Sequence, residues 1–293
     1  MIIRGLRYME KFLIVTNENK DKGNIITRQL ADYIEASGRK FTLIDTKALE
    51  DKTWLTPELD VECAIVLGGD GTLIRCATHL MGLDIPILGI NLGTVGFLAE
   101  IEKHNISLAL DRLFADDYMI ENRLMLHGEF PMGPSHMSHD EKDINLCYAL
   151  NDIVITRKGH SRIINIKIYV NDELVDDYRG DGVIISTPTG STSYNLSAGG
   201  PIITHRANVM VVTPICPHSL SPRSVVVSAE DNIKVVLRSR DELDEPAIAT
   251  CDGQTVIELG KEDEILIKKA QYSTGLIRLN QTSVYEILRS KLL

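Results

Sequence analysis

The sequence predicts an α/β N-terminal domain with a mostly parallel sheet, followed by an all-β, sandwich-like C-terminal domain and a C-terminal helix that returns to the first domain. Three observations carry this. Before about residue 120, short apolar runs alternate with helical patterns. After it, the apolar period becomes two and turn signals recur at short intervals. The tail, Ser283–Leu293, again reads as a helix and packs back on the first domain. A length of 293 residues fits two domains of ordinary size. The expected division is 1–120 with about 275–293, and 121–274.

Each element has its own signal. Lys11–Thr16 (KFLIVT) reads as a buried strand, Asn24–Ala36 as an amphipathic helix and Phe41–Asp45 as a second strand. Cys63–Leu67 (CAIVL) is a third strand ending in glycines, and Thr72–Met81 continues as a helix. Asp84–Ile90 is a fourth strand and Ser107–Phe114 a further helix. Such alternation builds a parallel sheet, whose ligands bind beyond the carboxyl ends of its strands. In the second half, Ile164, Ile166, Ile168 and Val170 alternate with polar residues, Asn171–Asp172 turns, and Leu174–Tyr178 returns. Ser224–Val227 and Ile233–Leu237 form another pair. Ala247–Thr250 and Thr255–Leu259 flank Cys251–Asp252–Gly253–Gln254, and Asp263–Ile267 adds a strand. Gly128–Asp143 is polar and carries His136 and His139 without a third metal ligand, so it reads as a solvated loop.

Composition narrows the function. Acidic residues number 41 against 31 basic, a formal net charge of −10. Phosphate is repelled overall, so nucleic acid is not an expected partner and any phosphate site must be built locally. No apolar run reaches the roughly 18 residues that span a bilayer, so no membrane partner is expected. Met1–Met9 reads as neither a signal nor a transit peptide. Cys63, Cys76, Cys147, Cys216 and Cys251 are scattered in or beside apolar segments. They read as small buried hydrophobes in a reducing cytoplasm.

The densest chemical signal is Gly68–Gly69–Asp70–Gly71–Thr72, between a strand and a helix. Glycine admits positive φ and lets backbone approach a bulky anion, and a helix N-terminus favours phosphate. No Gly-Lys-Ser/Thr follows, and Ile74 stands where a dinucleotide motif has its third glycine. An acid in such a loop either caps the helix or handles a proton or metal beside phosphate. A second glycine cluster, 91–97, follows the fourth strand. Its Phe97 stacks on a ring or simply fills core. Asn151–Asp152 heads the strand Ile153–Thr156 and reads alone as a strand-entry turn. Asp181–Pro201 packs eight hydroxyl side chains around an apolar strand, which suggests a surface for phosphate or sugar hydroxyls. Ser193–Tyr194 does not fit a nucleophile elbow, which excludes a serine hydrolase. Pro214 and Pro217 stiffen a loop bearing His218, and Asp252–Gly253 suits a hairpin turn.

Taken together these segments resemble the NAD kinase family: GGDGT at 68–72, NLGTVGFL at 91–98, LNDIVI at 150–155, DGVIISTPTGSTSYNLSAGGPI at 181–202, PICPHSLSPR at 214–223 and DGQ at 252–254. GGDGT alone is shared with lipid kinases and phosphofructokinases. The order of the set and the 181–202 segment are more specific. The resemblance implies transfer of the γ-phosphoryl of ATP to the 2′-hydroxyl of the adenosine ribose of NAD, giving NADP, with Mg²⁺ or another divalent cation. No metal ligand is assigned. It also implies a homo-oligomer, a dimer or tetramer. Asp70 matches the family's proposed general base, and Gly68, Gly69, Gly71 and Thr72 its phosphate loop. Gly71, Phe97, Asn151, Asp152, Asp181, Thr192, Ser193, Tyr194 and Ser197 match dinucleotide contacts, and Asp252 and Gln254 are additional pocket candidates. The pair is Asn–Asp where Asn–Glu is commoner, one methylene shorter, and 128–143 resembles an insertion. Two rivals stay open: a lipid kinase of the GGDGT superfamily, which the acidic charge opposes, and a non-catalytic dinucleotide sensor.

Overall fold

The computed structural model describes residues 9–51, 54–56, 59–93, 96–99, 101–131, 144–159, 163–219, 222–238, 247–279, 286 and 288–289. In chain order its elements are β1 Lys11–Thr16, α1 Ile25–Ala36, β2 Lys40–Asp45, α2 Thr46–Asp51, β3 Cys63–Gly68, α3 Asp70–His79, β4 Ile87–Asn91, β5 Ile101–Glu102 and α4 Ile106–Phe114. There follow β6 Met119–Pro131, β7 Ile144–Ala149, β8 Asp152–Arg157, β9 Ile164–Val170, β10 Glu173–Gly180, β11 Gly182–Ser186 and α5 Tyr194–Ser197. The last are β12 Val209–Ile215, β13 Val225–Ser228, β14 Ile233–Arg238, β15 Ala247–Cys251, β16 Thr255–Leu259 and β17 Glu264–Arg278. Two compact units result, one from Met1–Arg123 with Ser273–Leu293 and the other from Leu124–Tyr272. The boundaries fall within β6 and β17.

The first unit is α/β. Its sheet runs β2–β1–β3–β4, all parallel, with β5 also parallel to β4. The runs Phe12–Val15 and Cys63–Leu67 are buried because helices cover the sheet. In α1, Thr27, Leu30 and Ile34 form the buried stripe, and in α4 Ile106, Ala109, Leu110 and Leu113 do so. The C-terminal chain reaches this unit as a strand: Leu276 of β17 pairs in parallel with Ile87 of β4. The sequence reading ended that strand at Ile267. It continues to Arg278, and Gly275 within it lies close to Ile120, 3.0 Å from where a Cβ would stand. Of the helix expected over 283–293, only residues 286, 288 and 289 are described, and all are helical. The rest lies outside the described residues.

The second unit is an antiparallel sandwich. One sheet runs β13–β12–β11–β8–β15–β16. Facing strands β10–β9–β14–β17 and the β6–β7 pair complete a shared core of Phe130, Ile153, Ile155, Ile166, Val183, Val212 and Ile265 among others. The loop expected from residue 128 starts later, because Gly128–Pro131 belong to β6 and Phe130 is buried. Residues 132–143, with His136 and His139, lie outside the described residues. Pro214 lies inside β12, opposite Val183. It is tolerated because β13 covers only Val209–Val212, leaving β12 an edge beyond them.

The cysteines divide. Cys63 and Cys76 are buried, and burial pushes both thiols up. Cys216 is exposed. Cys147 of β7 and Cys251 of β15 are buried neighbours, with Cα atoms 6.6 Å apart. The expectation of small buried side chains holds at Cys63, Cys76, Cys147 and Cys251 and is corrected at Cys216, which is exposed. Among the described residues no helix is long and apolar enough to cross a membrane.

Candidate functional site

In the first unit, two glycine loops meet beyond the carboxyl ends of β3 and β4, where a parallel sheet presents its ligand site. Gly69 precedes α3 in extended conformation (φ −120°, ψ −174°), and the Thr72 and Leu73 amides donate to its carbonyl. None of Gly68, Gly69, Gly71 or Gly96 has positive φ, so the loop uses glycine for space, not for left-handed backbone. A Cβ on Gly68 would stand 2.5 Å from Thr72 Oγ1, whereas Gly69 and Gly71 face open space. The Leu92 amide donates to the Gly68 carbonyl at 2.9 Å and couples the loops.

Asp70 is the first residue of α3, and α3 has no side-chain cap. The capping reading therefore fails. Its carboxylate instead accepts the amides of Phe97 (2.7 Å), Leu98 (3.2 Å) and Ala99 (3.1 Å). Gly96 makes room for it, since a Cβ there would fall 1.8 Å from Asp70 Oδ1. Phe97 is half-buried. Three residues not singled out from the sequence support this corner. Asn17, just after β1, donates from Nδ2 to Thr72 Oγ1 at 2.9 Å. Asn91 is buried, accepts the Gly93 amide, and its Nδ2 meets no acceptor among the described residues. Arg278 donates to the Leu98 carbonyl and pairs with Glu121.

The second unit builds its cluster on Leu150–Asn151–Asp152. The Asp252 carboxylate accepts the amides of Leu150 (2.7 Å), Asn151 (2.7 Å) and Asp152 (3.2 Å), and the Asp252 amide donates to the Asp152 carbonyl. From the other side, Thr187 Oγ1 donates to the Leu150 carbonyl and the Thr187 amide to that of Asn151. Gly190 lies so close that a Cβ would stand 2.1 Å from the Asn151 carbonyl oxygen. Asp152 is 5 % exposed. Burial first, and the Asp252 charge second, raise its carboxyl to about 7. Burial likewise pushes Asp252 up, against the three amides that hold its charge.

The hydroxyl-rich segment divides in a way its composition did not show. Ser186, Thr187, Thr189 and Ser191 are buried. Ser186, Thr187 and Ser191 bond to nearby backbone, so they act as structural donors and not as a ligand surface. Thr192 is half-buried, and Ser193, Tyr194 and Ser197 are exposed beside it. Asn195 between them is fully buried and organises the loop, bonding Ser191, Pro201 and Thr213. Gln254 is exposed in the β15–β16 turn, and His218 is exposed. Asp181 stands apart from this group. It pairs with Arg157 at 2.8 Å, at the opposite end of β11 from Ser186. At about 3.4 Å per residue this places it roughly 17 Å away along the strand.

Residues 12–118 match the ATP-NAD kinase N-terminal domain and residues 150–279 the ATP-NAD kinase C-terminal domain. A NAD kinase of Lachnoclostridium phytofermentans is 48% identical over 287 residues, covering 97% of this chain and 99% of that protein. One from Agathobacter rectalis is 40% identical over 289 residues, covering 97% and 99%. Among solved structures, a yeast NADH kinase complexed with NADH superposes with a TM-score of 0.82 at 20% identity, covering 98% of this chain and 88% of that one. A NAD kinase from Archaeoglobus fulgidus in complex with ATP gives 0.72 at 23% identity, covering 92% and 94%. With both of its halves matched and relatives aligned along nearly its full length, the chain belongs to the ATP-NAD kinase family.

Proposed function

We propose that the chain transfers the γ-phosphoryl group of ATP to the 2′-hydroxyl of the adenosine ribose of NAD, giving NADP. The observation that carries this is Asp70, an acid at the start of α3 within a glycine loop whose Gly69 and Gly71 face open space. That backbone and the α3 N-terminus favour phosphate, and the acid serves the hydroxyl. A carboxylate offers about four acceptor sites. Three are used by Phe97, Leu98 and Ala99, which fixes the group's direction and leaves capacity for one hydroxyl. Asp70 orients the 2′-hydroxyl and accepts its proton late, as the new O–P bond forms and the bond from γ-phosphorus to the bridging oxygen of ADP breaks. Asn151 and Asp152 hold the dinucleotide, and Thr192, Ser193, Tyr194 and Ser197 line its pocket.

A divalent cation, when bound, neutralises triphosphate charge. Among the described residues no three His, Cys, Asp or Glu side chains form a metal site; of the chain's own groups, Asp70 is the one placed to orient the hydroxyl and accept its proton. We also propose a homo-oligomer, because edge strands β13 and β16 expose Val226 and Val256. Light scattering at a single-chain mass would refute it.

The test is NADP formation from NAD, ATP and Mg²⁺, read through an NADP-specific dehydrogenase. Asp70→Asn should lose roughly 10²–10⁴ in kcat while still binding NAD. Turnover equal to the unaltered chain would remove Asp70 as proton acceptor. NAD binding without any product from the unaltered chain would favour a dinucleotide sensor.

A further inference from the structure

Asp252 touches the backbone of the dinucleotide turn with both carboxylate oxygens, so it has little left to offer a ligand. We propose that Asp252 is a positioning residue for dinucleotide recognition. It gathers the Leu150, Asn151 and Asp152 amides so that the Asn151 side-chain amide and the Asp152 carboxyl remain available to the ligand's hydroxyls. The proposal rests on the reading that Asn151 and Asp152 bind NAD.

Buried N–H and C=O groups must be paired. All three amides of 150–152 end on Asp252, and the three carbonyls accept from Thr187 Oγ1, the Thr187 amide and the Asp252 amide. With the backbone satisfied, the turn has one conformation. The side chains of Asn151 and Asp152 meet no hydrogen-bond partner among the described residues, although Asp152 is buried. A buried acid with no internal donor is suited to an external one. Ribose hydroxyls are donors of that kind.

The local fold makes the test clean. Asp252 and Gly253 both have positive φ, 51° and 65°, and the Gln254 amide donates to the Cys251 carbonyl. Residues 251–254 thus form a β-turn with two left-handed central residues, inside a three-residue connection between the paired Cys251 and Thr255, and Asn-Gly is the most favoured pair for two such central positions. Asp252→Asn therefore keeps the hairpin while removing the carboxylate, and sets an NH₂ group against the amides it must gather.

Kinetics on the full chain decide the matter. Asp252→Asn should raise KM for NAD roughly 10- to 100-fold, as misplacement of a recognition group does. KM for ATP should stay within about threefold, a split that general loss of structure would not give. The pH profile adds a second readout. Among the described residues Asp252 is the charged group that acts on Asp152. In the unaltered chain kcat/KM for NAD should rise through about pH 7 as Asp152 ionises. In Asp252→Asn that inflection should move to lower pH, because a like charge has been removed. Asn151→Ala is the companion variant. If it raises KM for NAD while Asp252→Asn leaves both KM and inflection unchanged, the positioning role is overturned and the NAD site stands. If Asn151→Ala changes nothing, the NAD site at this turn falls and the positioning role with it. Should Asp252→Asn fail to fold, Asp252→Ser carries the same expectations.

Discussion

Replacing Asp152 by Asn should make the protein more stable as pH rises, while damaging its binding of NAD. The structure holds this carboxyl at about 7, against 3.8 for a free aspartate, first through burial and then through the Asp252 charge. An acid raised on folding is protonated more readily in the folded state. Its ionisation therefore costs stability, beginning above the unfolded value near 4 and complete above the folded value near 7. The full shift corresponds to about 4 kcal/mol. Asn cannot ionise, so the variant escapes that cost. Against it stands a pH-independent penalty of roughly 1–3 kcal/mol for burying an amide without designed partners. Comparing two pH values cancels this penalty. Between about pH 5.5 and 8.5 the difference in unfolding free energy, variant minus unaltered, should grow by about 2 kcal/mol in favour of Asp152→Asn. Urea denaturation at the two pH values, with matched ionic strength, measures it. A difference that does not change with pH would refute the assigned proton affinity, and with it the view of Asp152 as an acid held for a ligand at the expense of stability.

Two further perturbations test the surrounding frames. Asn195→Ala should destabilise the protein by roughly 2–4 kcal/mol, because it strips a fully buried side chain from Ser191, Pro201 and Thr213. A urea midpoint like that of the unaltered chain would show that the loop does not depend on it. Gly96→Ala places a Cβ 1.8 Å from Asp70 Oδ1, so Asp70 must leave the 97–99 amides. NADP formation should fall at least 100-fold, the scale expected when a reacting group moves by about 1 Å, and near-normal turnover would show that this contact is dispensable.

Much of the framework was legible in the sequence because its signals are local. KFLIVT and CAIVL are continuous apolar runs, as strands buried on both faces must be, and they are β1 and β3. The Ile164–Val170 alternation is β9. Elements were missed where local signals conflict. In β6, Leu126, Gly128 and Phe130 are buried while His127 and Glu129 alternate with them less deeply, but glycine and proline hide the period. Pro214 suggested a loop because a sheet edge cannot be seen before its neighbour is placed. The candidate residues in GGDGT and Asn151–Asp152 were legible as motifs, yet their arrangement was not. Asp70 bonds residues 27 to 29 positions away, and Asp252 bonds residues 100 to 102 positions away. Nor does composition say which hydroxyls of 186–197 turn inward.

Both units use one device. An aspartate at a turn or helix start takes three consecutive amides from a distant loop: Asp70 those of Phe97–Ala99, Asp252 those of Leu150–Asp152. Read from the sequence, an acid beside a phosphate loop is a source of repulsion. Placed in the fold, each carboxylate organises N–H groups that would otherwise stand unpaired, and charge-assisted bonds of this kind are stronger than neutral ones. The consequence differs between the units. Asp70 keeps at most a single lone-pair direction, so the service to a hydroxyl proposed for it would depend on the 97–99 loop staying in place, and with it on Gly96 and the Arg278 contact to the Leu98 carbonyl. Asp252 passes its effect on, since the acid left unbonded is its neighbour Asp152. In the function proposed above, recognition and proton handling thus depend on loops fastened by carboxylates, and a substitution at a fastening residue should act on the group it positions before it acts on the fold.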